Sequence, residues 1–182
     1  GLFTRSFDMI SHVLEISPDD SKARKILGYK KDTKTKEWIS TWEYAKRKKY
    51  FLSKEGWFEK KKKKDFDSGL RPYKGKWIPA EREKSIRTRN EYAPYSVQSE
   101  HFEVLTNMGR ARAWEFALKL EDFYTQFFRT FIGYYDQIAG AKLLFNRPEV
   151  KKMHQVILFP SRNGYLLHVK QEKGNDKLLR ES

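Results

Sequence analysis

Between Gly109 and Phe131 the sequence runs GRARAWEFALKLEDFYTQFFRTF, with large apolar side chains at three- and four-residue spacing. Trp114, Ala117, Leu120, Tyr124, Phe127, Phe128 and Phe131 fall on one wide stripe of a helix, and Glu115, Lys119, Asp122 and Arg129 lie mainly off it. A helix this apolar on one side is stable only if another layer covers the stripe, so the flanking segments must supply that layer. Upstream, in HFEVLTN, Phe102, Val104 and Thr106 alternate with Glu103 and Leu105, which predicts a strand. Downstream, KLLF (142–145) and HQVILFP (154–160) read as buried strands, and Ser161 can cap a last helix over RNGYLLHVKQEK. The fold class predicted is α+β, with residues 101–182 forming a strand, long helix, two strands and a helix.

The first ninety residues follow a different pattern. LFTRSFDMISHVLEI places Phe3, Phe7, Ile10 and Leu14 at helical spacing. SPDDSKARKILGY predicts a second helix. Ser17 is its cap, Pro18 its first helical residue, Asp19 and Asp20 complement the dipole, and Gly28 is the stop. Residues 29–90 hold a weak repeat, KEWISTWEYAKRKKY from Lys36 and GKWIPAEREKSIRTR from Gly75. In each copy a Trp-Ile pair (Trp38-Ile39, Trp77-Ile78) ends a short strand and a Glu-bearing basic helix follows. GWFEK from Gly56 and GLRPYKG from Gly69 read as strand–turn segments between them. The domain organisation expected is a helical hairpin plus a basic Trp-rich unit over 1–90, a linker over 91–100 (EYAPYSVQSE) and the α+β unit over 101–182, with Trp38 and Trp77 sharing a small core.

Charge narrows the partners. Lys and Arg outnumber Asp and Glu 38 to 24, a net +14, and the excess is uneven: 25 against 15 in residues 1–100, and 13 against 9 in the remainder. Such a first half attracts anionic partners: an acidic protein surface, nucleic acid or anionic lipid. The densest run is Lys60, Lys61, Lys62, Lys63 and Lys64 in FEKKKKKDFDSG. Five consecutive lysines point in every direction from a helix or strand, so the run reads as a solvated connection, and as a contact for an acidic protein surface if it binds anything. Nucleic acid is disfavoured, since no helix-turn-helix, RNP-type strand pair, GXXG clamp or zinc finger is present. Trp42, Trp57, Arg71 and Tyr73 complete the partner-binding candidates, because Trp, Tyr and Arg dominate interface hot spots.

Catalytic signals are absent. With no cysteine, thiolate nucleophiles, disulfides and cysteine-held metals are excluded. His12, His101, His154 and His168 form no HExxH or H-x3-H pair. His101-Phe102-Glu103 mimics the H-x-E of zinc deaminases, whose PCxxC half cannot exist here. Glu121 and Asp122 diverge by about 100° on the long helix and read as a solvated face. No metal, cofactor or catalytic residue is expected. No stretch approaches the roughly 20 apolar residues of a membrane span. The start at Gly1 without methionine predicts a processed chain, soluble in an exported or membrane-bounded compartment, or a piece of a longer protein.

Several phrases occur together in order: SPDDSKARKILGYK, WISTWEYAK, EGWF, SGLRPYKGKWIPAERE, SEHFEVLTNMGRARAWEFALKLEDFYTQFF and VILFPSRNGYLLHV. From about Ser17 to Val169 this set resembles the N-terminal, non-catalytic region of gluzincin-like metallopeptidases of planctomycetes. In that family the zinc-binding HExxH helix follows. This sequence ends at Ser182 without it, so the resemblance carries over no catalytic residue. It implies a docking or pro-region of a zinc peptidase, or a relative that kept the scaffold and lost the chemistry. By lineage it also suggests an accessory subunit that organises a redox complex such as nitrite oxidoreductase into filaments or tubules.

The reading expected from the residues is a non-catalytic assembly module, acting on a multi-subunit enzyme complex or by self-association. The alternatives are the peptidase docking region and non-specific nucleic-acid binding, the latter marked by affinity that falls steeply with salt. If the long-helix stripe is core, Trp114→Ala should cost about 3–5 kcal/mol. A urea midpoint equal to wild type would refute that placement.

Overall fold

The computed structural model describes residues 2–89, 94–139 and 153–170, and its fold is α+β. Helices α1 (Leu2–Ile16) and α2 (Ser21–Ile26) lead the chain. The cap of α2 is Asp20, whose Oδ1 accepts from the Ala23 N–H at 2.7 Å. It lies three residues beyond Ser17, because 17–20 closes its own turn through the Asp20 N–H and the Ser17 carbonyl. Gly28, at φ +82°, lets the chain turn out of α2.

Three antiparallel hairpins then follow, each leading into a helical segment. Strands β1 (Tyr29–Lys31) and β2 (Trp38–Ser40) lead into α3 (Thr41–Lys49). Strands β3 (Tyr50–Ser53) and β4 (Gly56–Glu59) lead into a 3₁₀ turn (Lys60–Lys62) and α4 (Lys63–Asp67). Strands β5 (Leu70–Tyr73) and β6 (Lys76–Pro79) lead into α5 (Ala80–Arg89). The repeat legible twice in the sequence is therefore threefold, with Trp38, Trp57 and Trp77 at equivalent places in the second strands. The lysine run, expected as an open connection, is the helical segment of the middle unit. Strand alternation gives the middle hairpin two working faces. Phe51 and Phe58 stand opposite one another and meet Phe66 of α4 at centroid distances of 5.3 and 4.7 Å, with Trp77 6.4 Å from Phe58. Leu52 and Trp57, also paired, occupy the other face. Trp38 takes no part in this cluster: its indole N–H donates to Asp19 at 2.9 Å. Among the described residues Trp38 and Trp77 therefore share no core.

Residues 95–98, within the stretch expected to link two units, form strand β7 (Tyr95–Gln98), with Tyr95 and Val97 buried and Ser96 and Gln98 outward. It pairs antiparallel with β8 (Phe102–Thr106), which pairs in parallel with β9 (His154–Leu158). Helix α6 (Arg110–Ala139) lies between β8 and β9 in the chain and packs on β7 and β8. Val104, Ala113 and Ala117 have no exposed surface, and Trp114 is 8% exposed. Beyond them the stripe emerges: Leu120, Tyr124 and Phe127 are half-buried, Phe123 and Phe131 exposed. Strand β9 is less buried than its composition suggests, with Ile157 exposed. The KLLF segment lies outside the described residues. A helix over 162–170 follows 153–160, and the Gly164 N–H donates to Ser161 Oγ at its start. No helix among the described residues is long and apolar enough to cross a membrane.

Two features lock the hairpins to the α6 layer. At Gly56 (φ +100°) an added Cβ would lie 3.3 Å from Val97 Cγ1 and 3.4 Å from Trp114 Cε3, so the middle hairpin docks where a side chain would intrude. The second lock is ionic. Glu83 of α5, 2% exposed, accepts from Arg87 Nε at 2.8 Å and from Arg110 Nη2 at 2.9 Å. Arg110 also donates to the carbonyls of Pro72 and Ser96. Its Cζ lies 5.7 Å from the Phe58 ring and 5.5 Å from the Tyr95 ring. Removing the carboxylate leaves two guanidiniums in a site built around it, so Glu83→Ala should cost about 3–5 kcal/mol. Denaturant midpoints check this, and a loss comparable with that of an exposed glutamate would refute it.

Candidate functional site

A groove of about 220 Å³ opens where the first two hairpin units meet α6. One wall comes from the α2–β1 turn at Leu27–Tyr29 and the first turn of α3, where the Ser40 hydroxyl accepts from the Glu43 N–H and sets the helix start that carries Trp42. Trp57, on the β4 face opposite Phe58, meets Trp42 edge-on, with centroids 6.0 Å apart and planes at 84°. Leu52 of β3, residues 99–101, and Trp114, Leu118, Glu121, Asp122 and Thr125 of α6 complete the lining. Trp57 Nε1 is buried and has no acceptor among the described residues.

The β7–β8 turn at the groove's edge is held by Glu121. Its Oε1 accepts from the Ser99 hydroxyl at 2.6 Å and the His101 N–H at 2.7 Å, and its Oε2 lies 2.6 Å from His101 Nδ1. The His101 ring stacks on Tyr124, with centroids 4.0 Å apart. Burial pushes the Glu121 carboxyl up, but the bonds from the His101 ring, the Ser99 hydroxyl and the His101 N–H outweigh it and hold the group below the ordinary carboxylate range. The carboxylate therefore keeps its charge, and Nδ1 is the donor. Ser99 shares this cluster but donates to the carboxylate; a serine nucleophile would donate to the imidazole. Glu121, expected on a solvated face, pins a turn to a helix, because its half-buried side chain on α6 meets residues 99–101 across the fold. Asp122 beside it is exposed, as its 100° offset requires. No three His, Asp or Glu side chains converge as a metal site among the described residues.

The partner-binding candidates divide into three places. Trp42 and Trp57 come together in the groove. Lys60–Lys64 lie beyond α3. Lys60 Nζ donates to the Arg47 carbonyl at 2.6 Å, and Lys61, Lys62 and Lys63 pair with Glu59, Asp65 and Asp67. Lys62 and Lys63 also sit over the Trp77 and Phe51 rings. Lys64 has no such partner among the described residues. Arg71 lies inside the hairpin array, bidentate to Glu55 at 2.9 and 2.7 Å, with its Cζ 3.8 Å over Phe66. Tyr73 lies beside it under Arg87 and Lys74.

Comparison with known protein families, curated proteins and solved structures gives no match.

The residues that sequence reasoning passed over are the buried ionic ones. Glu83 and Arg87 sit four apart on α5, the spacing of a helical ion pair, but that spacing occurs equally on exposed faces. The pairing of His101 with Glu121 carried no signal, the two being 20 residues apart.

The lowered Glu121 value fixes a pH dependence. A depressed carboxyl contributes stability that is complete above its unfolded value and is lost as pH falls through the folded one. Glu121→Gln should cost about 1.5–3 kcal/mol at pH 7, and its deficit against wild type should shrink at pH ~3. Urea titrations at both pH values test this, and an equal deficit at both would refute it.

Proposed function

We propose that this chain is a non-catalytic interaction module that helps assemble a larger complex by meeting an acidic protein surface with its basic face. The observation that carries the reading is the bond from Lys60 Nζ to the Arg47 carbonyl. It draws two basic runs, residues 46–49 (KRKK) at the end of α3 and Lys60–Lys64, onto one surface. Lys48, Lys49, Lys60, Lys61, Lys63 and Lys64 are exposed there.

The aromatic residues of this face support a protein partner over nucleic acid. Single-stranded nucleic acid binds to open aromatic rings on which bases stack. Here the rings carry the protein's own cations. Lys30 and Lys48 lie 5.5 and 5.4 Å from the Tyr44 ring, Lys46 lies 4.7 Å from Tyr50, and Lys63 lies 4.9 Å from Phe51. Burial lowers the Lys46 pKa, as for an ammonium laid along rings. The rings hold ammonium groups in place, and the face offers fixed charge without a stacking platform.

Exposed ion pairs contribute about 0.2–1 kcal/mol each. Replacing Lys48, Lys49, Lys61, Lys63 and Lys64 by Ser should therefore weaken binding to polyglutamate several-fold or more and flatten its salt dependence. Binding and salt dependence equal to wild type would refute the assignment of the face. Tighter binding of wild type to a single-stranded DNA homopolymer than to polyglutamate would replace it with the nucleic-acid reading.

A further inference from the structure

We propose that the Trp42–Trp57–Trp114 groove receives a lysine or arginine side chain from a partner protein, giving the chain a second docking element of opposite sign to its basic face. The inference concerns a different site and does not rest on the basic-face reading.

The lining departs from the chain's composition. In a protein of net +14, the groove carries Glu43, Glu100, Glu121 and Asp122 and no Lys or Arg. Arg47 holds Glu43 from outside the lining at 2.7 Å, and Glu121 stays charged through its turn bonds. Asp122 stands exposed at the rim. Carboxylates above indole walls form the environment that selects an organic cation, because the negative ring face adds to the fixed charge.

The tryptophans themselves point the same way. Trp38, Trp42 and Trp77 each carry an ammonium of this chain near the ring: Lys31 at 5.4 Å, Lys46 at 5.3 Å and Lys62 at 5.9 Å. Trp57, half-buried, has no cation at its ring among the described residues, and it lines the groove beside the buried Trp114. The volume fits one side chain: sites for whole small-molecule ligands run to about 300–1,000 Å³, above the 220 Å³ found here. A second copy of this chain is disfavoured as the donor, since two bodies of net +14 repel.

The test is an NMR titration of the full chain that follows its five indole N–H signals. The probes are a capped pentapeptide with a central lysine between glycines, its arginine counterpart, and its norleucine counterpart, which keeps the length and loses the charge. The lysine and arginine peptides should shift the Trp42, Trp57 and Trp114 signals saturably and leave Trp38 and Trp77 in place. The norleucine peptide should bind at least ten-fold more weakly. Asp122→Lys should weaken the charged peptides by a similar factor, with unmoved Trp38 and Trp77 signals reporting an intact fold. The five-lysine variant of the basic face should bind them as well as wild type does, or better. Equal binding of norleucine, shifts confined to Trp38 and Trp77, or no saturable shift at millimolar peptide would each overturn the proposal.

Discussion

Glu83 holds together parts of the fold that would otherwise touch only at their edges. It projects from a helix almost without apolar residues, AEREKSIRTR, and is 2% exposed. Arg87 comes from the same helix and Arg110 from the first turn of α6, so one carboxylate ties the third hairpin unit to the long helix. The Tyr95, Tyr73 and Phe58 rings close around the two guanidiniums. Buried charge is costly unless its hydrogen bonds are complete. Here they nearly are: the arginines also reach the carbonyls of Pro72, Pro94 and Ser96, and Arg110 Nε is left without a partner among the described residues. The directional demand of this cluster sets where α5 and β7 lie in a way a greasy contact would not.

The threefold hairpin–helix pattern has a functional consequence. A two-stranded hairpin is marginal on its own, so each unit leans on what surrounds it. The middle one is used on both sides: Phe51 and Phe58 face α4 and the ionic cluster, while Leu52 and Trp57 face the groove. Gly56 allows this hairpin to reach Val97 and Trp114, and that approach brings Trp57 and Trp114 to the same groove. The same contact that stabilises the fold thus shapes the site.

Legibility varied with the kind of signal. The alternation of HFEVLTN and the stripe from Trp114 through Leu120 were readable because periodicity reports which side of an element is apolar. The stripe overreached at Phe131, which is exposed, since spacing does not say where the covering layer stops. Strand β7 leaves little trace in the sequence because YSVQ is short and half polar, although Tyr95 and Val97 alternate inward. The lysine run reads as a connection in sequence, while Asp65 and Asp67 pair with it three and four residues along a helical segment. Trp42 and Trp57 were recognisable as residues of interest, but nothing in the chain says that they meet.

From the sequence alone follow the α+β class, the long aromatic helix, the tryptophan-bearing strands and the uneven positive charge. Each is a local or additive property, carried by residues within a few positions of one another. Tertiary structure alone decided the convergences: Glu83 with Arg110 across 27 residues, Ser99 with Glu121 across 22, and three tryptophans around an acidic groove in a basic chain. Periodicity orients a face but does not name what it meets. Partners so distant in sequence become neighbours only when the closed fold leaves their polar groups no water to turn to.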